Sequence, residues 1–286
     1  MGRLQKEELQ RIFADHDTDR IGVILDQEWA DPEALKVSGF KVIKSTCFTE
    51  FGIDFGQAYD SHKFMFGTWH GKQVIISQGR VCLGENQPSM LRRWMSVLIA
   101  LMGNSRRIVI MGSASGISTD AEVGTFVLPR GLISAHIPQP YLCGVGVKSE
   151  HLLWDYHEES GQSERWREYI FSEALSGTPH DTITNGLHML IPGPGYGGVC
   201  ERQLWQSQNV DTVSCSLDPE LRLIALERMD NDPYGHNPEK DIRVFATLYV
   251  TDDQDDPKQR LTAEQAETRS NDIAEFLSKV LSSSHF

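Results

Sequence analysis

Positive charge is the scarce commodity in this chain: 27 Lys and Arg stand against 40 Asp and Glu, for a formal net charge of −13. A surface of that sign repels nucleic acid and anionic lipid, so neither is expected as a partner. An anionic small molecule would need a local cationic pocket. Cysteine is sparse as well. Cys47, Cys82, Cys143, Cys200 and Cys215 are odd in number and show no CxxC spacing, which fits a reducing compartment better than a disulfide framework. No run of 18 apolar residues occurs, so no membrane-spanning helix is expected. The opening MGRLQKEELQRIF is charged and helix-patterned rather than built like a secretory signal. The expectation is a cytoplasmic protein. Histidines at HExxH or i, i+4 spacing are missing, and the run Gly112 to Gly116 fits neither GxGxxG nor GxSxG. A metal site therefore lacks its fingerprint, as do a dinucleotide fold and a hydrolase elbow at that run, and no metal or organic cofactor is expected.

What is present is ordinary globular material, 40% apolar and 23% charged over 286 residues. That is enough to bury a substantial core, and with no linker or repeat it reads as a single domain, 1–286. Residues 4–14 have the spacing of a short amphipathic helix. Residues 21–25 are a continuous apolar run, as in a buried parallel strand. Residues 63–69 and 73–77 form a hairpin around His70-Gly71. A helix over 90–102 is stopped by Gly103-Asn104, and a strand over 107–111 runs into a small-residue loop, Gly112 to Gly116. Strands follow at 124–128, 187–191, 211–214 and 244–250, with helices at 164–175, 201–210, 219–228 and 262–281. Loops are expected at 138–161 and 230–240, and the Ser-rich tail is expected to fray. Strands alternating with helices indicate an α/β fold with a parallel or mixed sheet. In such sheets ligands bind at the carboxyl ends of strands. Four strand ends carry polar or small groups: Asp26–Glu28, Gly112–Gly116, Tyr196 with Ser216, and Asp252.

Those ends, in that order, resemble the trimeric purine nucleoside phosphorylases and the related methylthioadenosine phosphorylases. The resemblance spans about residues 22–281. It is carried by FGTWHGKQVIISQGR (66–80), IVIMGSASGISTDAEVGTFVLPR (108–130) and GPGYGGVCERQLWQSQNVDTVSCSLDPEL (193–221). It implies a nucleoside-phosphorylase-type three-layer fold, a central mixed sheet flanked by helices. It also implies a homotrimer and a reaction in which a purine nucleoside and inorganic phosphate give a free base and ribose 1-phosphate. The ribosyl transition state is cation-like, so bound phosphate both stabilises and attacks it. Carried over by position, Arg80, Ser113 and Ser216 would contact phosphate. Ala114, Tyr196, Cys215 and Asp252 would line the base and ribose, and Asp252 is the candidate catalytic residue at the purine. Ordinary alternatives stand beside these roles. Arg80 has Glu85 nearby as an ion-pair partner, Ser216 could bond backbone, Tyr196 could be a packed loop aromatic, and Asp252 opens an acidic run.

The departures concentrate on phosphate. Where the family has a Gly-Ser-Gly or Gly-Thr-Gly phosphate loop, this chain has Asp26-Gln27-Glu28. Glycines let amides approach an anion, and carboxylates repel it. The family's phosphate-site histidine aligns with Asp60, although His62 is near. The His and Tyr after QGR become Cys82 and Gly84, and the glutamate that reads 6-oxopurines becomes Gly197. Three functions follow. The favoured one is a purine nucleoside phosphorylase-like protein with a degenerate phosphate site, binding a purine nucleoside or base as a structural or regulatory homologue. The second is an active adenosine-type phosphorylase, with phosphate as co-substrate. The third is a nucleoside hydrolase.

Overall fold

Five successive residues, Ile21–Leu25, carry no charge, and every one of them is buried. They form β1, covered on both faces as a central parallel strand must be. The computed structural model describes residues 19–26, 29–31, 33–44, 63–78, 88–134, 162–191, 197–215, 217, 219–224, 242–253 and 263–286. The helix expected at 4–14 and the loops expected at 138–161 and 230–240 lie outside the described residues. After β1 come β2 (Ser38–Lys44), β3 (Lys63–Trp69), β4 (Lys72–Gln78), α1 (Pro88–Met102), β5 (Arg107–Gly116) and β6 (Phe126–Ile133). Then follow α2 (Gln162–Leu175), β7 (Thr182–Leu190), α3 (Val199–Ser207), β8 (Thr212–Ser214), β9 (Arg243–Asp253) and α4 (Ala263–Ser282).

The strands make one mixed sheet in the order β2-β3-β4-β1-β5-β8-β7-β6-β9, and β9 returns to pair with β5. The second half of the sheet therefore closes into a ring through β5, while β1 to β4 extend from it as an open sheet. β1 runs parallel to β4 and β5, and β5 runs parallel to β9. β8 is antiparallel to β5. Alternate residues of β5 face opposite layers. Ile108 and Ile110 pack with Leu91, Trp94 and Leu98 of α1. Val109 and Met111 pack with Phe171 of α2 and Phe276 and Leu277 of α4. The result is the expected three-layer α/β arrangement. No helix among the described residues is long and apolar enough to cross a membrane.

The hairpin forms where expected. His70 and Gly71 both adopt positive φ, 47° and 77°, as a two-residue turn between twisted strands requires. Some element ends move, with β6 running on to Ile133 and β7 starting at Thr182, and three larger features differ from the sequence expectation. β2 is not among the strands expected: it is a mostly exposed edge strand with a register shift between Ser38 and Lys41. The run 112–116 is not a loop. It continues β5 in register with β9, and its small residues serve close packing, since a Cβ on Gly116 would lie 2.0 Å from the carbonyl oxygen of Ala121. The tail does not fray. The Phe286 ring stacks on Trp166 at 6.0 Å, with the cations of Lys72 and Arg107 5.6 Å and 5.9 Å from its centre. Arg107 Nη1 donates to the Phe286 carbonyl at 3.0 Å, the Trp166 indole N–H donates to the His285 carbonyl, and Ser283 Oγ donates to Glu173 Oε2 at 2.6 Å.

Candidate functional site

Because β1, β5 and β9 are parallel neighbours, their carboxyl ends meet at one edge of the sheet. Asp26 follows β1, Ser113 to Ser115 occupy the last part of β5, and Asp252 lies near the end of β9. The β1–β5 register ends at Leu25↔Met111, so the Ser113 amide lies two residues beyond the last backbone pair. The Asp26 side chain takes it: Oδ2 accepts the Ser113 N–H at 2.7 Å. A carboxylate on a backbone amide is a charge-assisted bond, stronger than a neutral one.

The other flank of β5 meets a second carboxylate. Ala114 is level with Val250 but Ser115 with Asp252, so Thr251 is the extra residue of a bulge on β9. Bulges re-aim side chains, and here the Asp252 carboxylate is brought onto Ser115, whose Oγ donates to Oδ1 at 2.5 Å. Thr251 Oγ1 makes longer contacts of 3.4 Å to the same oxygen and to the Ala114 carbonyl. Arg269 of α4 reaches the Thr251 carbonyl at 3.4 Å. Behind this end of β9, burial pushes the Tyr249 hydroxyl up to about 12; Arg269 pulls against that shift and Asp272 adds to it. Burial lowers Arg269 in turn.

β8 enters from the opposite direction. Thr212 pairs with Gly116 and Val213 with Ser115, and Cys215 follows directly after the end of β8. It forms no disulfide and is partly exposed. Underneath, the fully buried His188 bridges two hydroxyls, Nδ1 with Thr212 Oγ1 at 2.9 Å and Nε2 with Ser214 Oγ at 3.0 Å, which ties β7 to β8. Before α3, Gly197 has φ +87°, and a Cβ there would lie 2.4 Å from the Trp205 ring. Glu201 Oε2 accepts the Gly198 N–H at 2.7 Å, the reciprocal half of a capping box.

The structure thus sets Ser113, Ala114 and Asp252 at one end of the β5–β9 pair, with the Asp26 carboxylate on the Ser113 amide, while Cys215 follows directly after β8. Arg80, Tyr196 and Ser216 lie outside the described residues, as do Gln27, Glu28, Asp60, His62, Cys82 and Gly84. Two polar residues at this edge escaped the sequence reading. Ser115 was hidden inside a supposed loop; a period-2 strand reading of 107–116 would have set it beside a neighbouring strand. His188 had no motif to mark it. Among the described residues no group of three His, Cys, Asp or Glu could hold a metal ion.

Known proteins match this architecture. The family model described as the phosphorylase superfamily matches residues 35–282. A purine nucleoside phosphorylase from Mus musculus is 24% identical over 164 residues, 56% of this chain and 55% of that protein. The chain therefore spans about half the length of that curated relative. A Schistosoma purine nucleoside phosphorylase in complex with hypoxanthine superposes with a TM-score of 0.69 at 17% identity, covering 98% of both chains. The Schistosoma mansoni enzyme in complex with inosine gives 0.69 at 17% identity, covering 96% of this chain and 93% of that one. At these identities the structural likeness establishes the fold.

Proposed function

The chain belongs to the phosphorylase superfamily and has the nucleoside phosphorylase fold, and from that premise we propose that it binds a purine nucleoside or base without efficient phosphorolysis. The observation that carries this reading is the 2.7 Å bond from the Ser113 amide to Asp26. By resemblance, that stretch of backbone borders the phosphate. A phosphate oxygen could take the amide only if Asp26 turned away, and the carboxylate would remain close by. Two like charges about 4 Å apart repel by roughly 4 kcal/mol at an effective dielectric near 20. That corresponds to about a thousandfold in affinity. Phosphate is the nucleophile and a main stabiliser of the cation-like transition state, so weak phosphate binding removes both contributions.

The purine side supports retained binding. Ala114 and Asp252 occupy the same sheet end, and the structural relatives bind hypoxanthine and inosine. The same reading makes the protein a cytoplasmic homotrimer associated with purine salvage, as a nucleoside-binding, structural or regulatory homologue; light scattering should then return three times the chain mass. An active adenosine-type phosphorylase would share the base side and differ only at phosphate, with Asp252 catalytic at the purine. The deciding assay incubates high protein concentrations with inosine or adenosine, with and without millimolar phosphate. We expect no phosphate-dependent release of base. Robust phosphate-dependent turnover would refute the proposal.

A further inference from the structure

We propose that Trp29 is a positioning residue that latches the acidic loop after β1 across β5, so that phosphate is shut out by an anchored loop as well as by charge. This inference rests on the reading above, that Asp26 stands in the place of phosphate, and adds what keeps it there. Trp29 follows Asp26 by three residues, and its backbone N–H donates to the Asp26 carbonyl at 3.0 Å. That turn ties the Asp26 backbone, while the 2.7 Å bond to Ser113 ties its side chain. The indole is 7% exposed and meets the Tyr249 ring edge-on, with centroids 6.1 Å apart and planes at 87°. Tyr249 is the residue of β9 level with Ser113. The loop therefore has one anchor on β5 and another on the next strand, at the same level of the sheet.

Further contacts close the loop. Ala30 is fully buried, and Gln78 Nε2, at the end of β4, donates to its carbonyl at 3.2 Å. The Leu35 N–H donates to the Asp31 carbonyl at 2.9 Å, and Leu35 and Val37 join the apolar cluster that holds Trp29, Met111 and Tyr249. For phosphate to take the Ser113 amide, Asp26 must leave it. If only the side chain rotates, the carboxylate stays close and repels the anion. If the loop backbone moves, Trp29 must leave its cluster and expose an indole to water. The two escapes are opposed by different residues, so they can be separated by substitution.

The test measures phosphate affinity by calorimetry and hydrogen exchange of single β5 amides by NMR, on the full chain. The proteins are wild type, Trp29→Ala, Trp29→Phe, Gln78→Ala, Asp26→Ala and Asp26→Ala with Trp29→Ala. We expect Trp29→Ala to speed exchange at Ser113 by at least about tenfold while Val109 to Met111 keep their protection. Its phosphate affinity should rise by about tenfold or more. Gln78→Ala, which removes only the Ala30 tether, should move both readings the same way by less, and it carries the test if Trp29→Ala does not fold. Trp29→Phe keeps an aromatic edge and should stay near wild type. In the Asp26→Ala background Trp29→Ala should add nothing to phosphate affinity, because the carboxylate it positions is gone. A merely structural tryptophan would loosen all β5 amides together and leave phosphate affinity unchanged. That result, or unchanged Ser113 exchange in both Trp29→Ala and Gln78→Ala, overturns this inference alone. Phosphate binding by wild type as tight as by Asp26→Ala overturns it together with the reading it rests on.

Discussion

Asp26 is where a single side chain decides most. Its carboxylate makes a charge-assisted bond to one amide, and removing it leaves that amide without its partner, at a cost of about 1–3 kcal/mol. An Asp26→Ala variant should therefore be less stable than wild type in phosphate-free buffer. Added phosphate should raise its melting temperature and leave the wild type unmoved; calorimetric phosphate affinity should rise at least about tenfold. Equal responses in the two proteins would contradict the role given to Asp26. Gly197 supplies a second residue-scale test. With φ +87° and Trp205 2.4 Å from any Cβ, restoring the family's glutamate there conflicts with the backbone and with the indole. Gly197→Glu should cost on the order of 1–3 kcal/mol in urea unfolding and gain no hypoxanthine affinity. The acidic replacements at 26 and 28 and the loss at 197 were legible in the sequence, because each is a change of charge or size at a definite position. The partners were not. That Asp26 answers Ser113 and Ser115 answers Asp252 depends on strands separated by 87 and 137 residues.

At the scale of elements, legibility followed burial. β1, β5 and the hairpin declared themselves through continuous apolar runs and turn chemistry. β2, largely exposed and with a register shift, offered only the short alternation Phe40-Lys41-Val42, which Ile43 interrupts. The stretch 112–116 misled because glycine and serine favour loops locally, whereas here close packing against Ala121 and pairing with β9 override that preference. The tail misled for a similar reason: serines suggest fraying, but Phe286 docks against Trp166, Lys72 and Arg107. Phe286→Ala should therefore destabilise the fold by about 3 kcal/mol or more in urea unfolding; a loss near zero would show the dock to be idle. β9 carries a pH prediction. The unfolded tyrosine ionises near 10, whereas native Tyr249 holds its proton up to about 12. The native state thus binds more protons in that window, so stability falls as pH rises through it and is unaffected below it. By the top of the window the loss should be on the order of 2–3 kcal/mol, and Tyr249→Phe should show a flatter alkaline profile by that amount.

The whole molecule is a sheet half open and half closed, with β5 shared between the two parts. That placement gives β5 a neighbour carrying a carboxylate on each side, Asp26 from the open half and Asp252 from the ring. Order and spacing of the strand ends were enough to identify the superfamily from sequence; the closure of β9 onto β5 was not, because it is a pairing of distant segments with no local mark. The central claim is that the protein's own carboxylate holds the place of phosphate. A crystal structure grown with phosphate and a purine nucleoside tests it most directly. We expect the purine at the β5–β9 end, with Asp26 Oδ2 still on the Ser113 amide and no phosphate there. A phosphate oxygen on the Ser113 amide, with Asp26 turned aside, would contradict it.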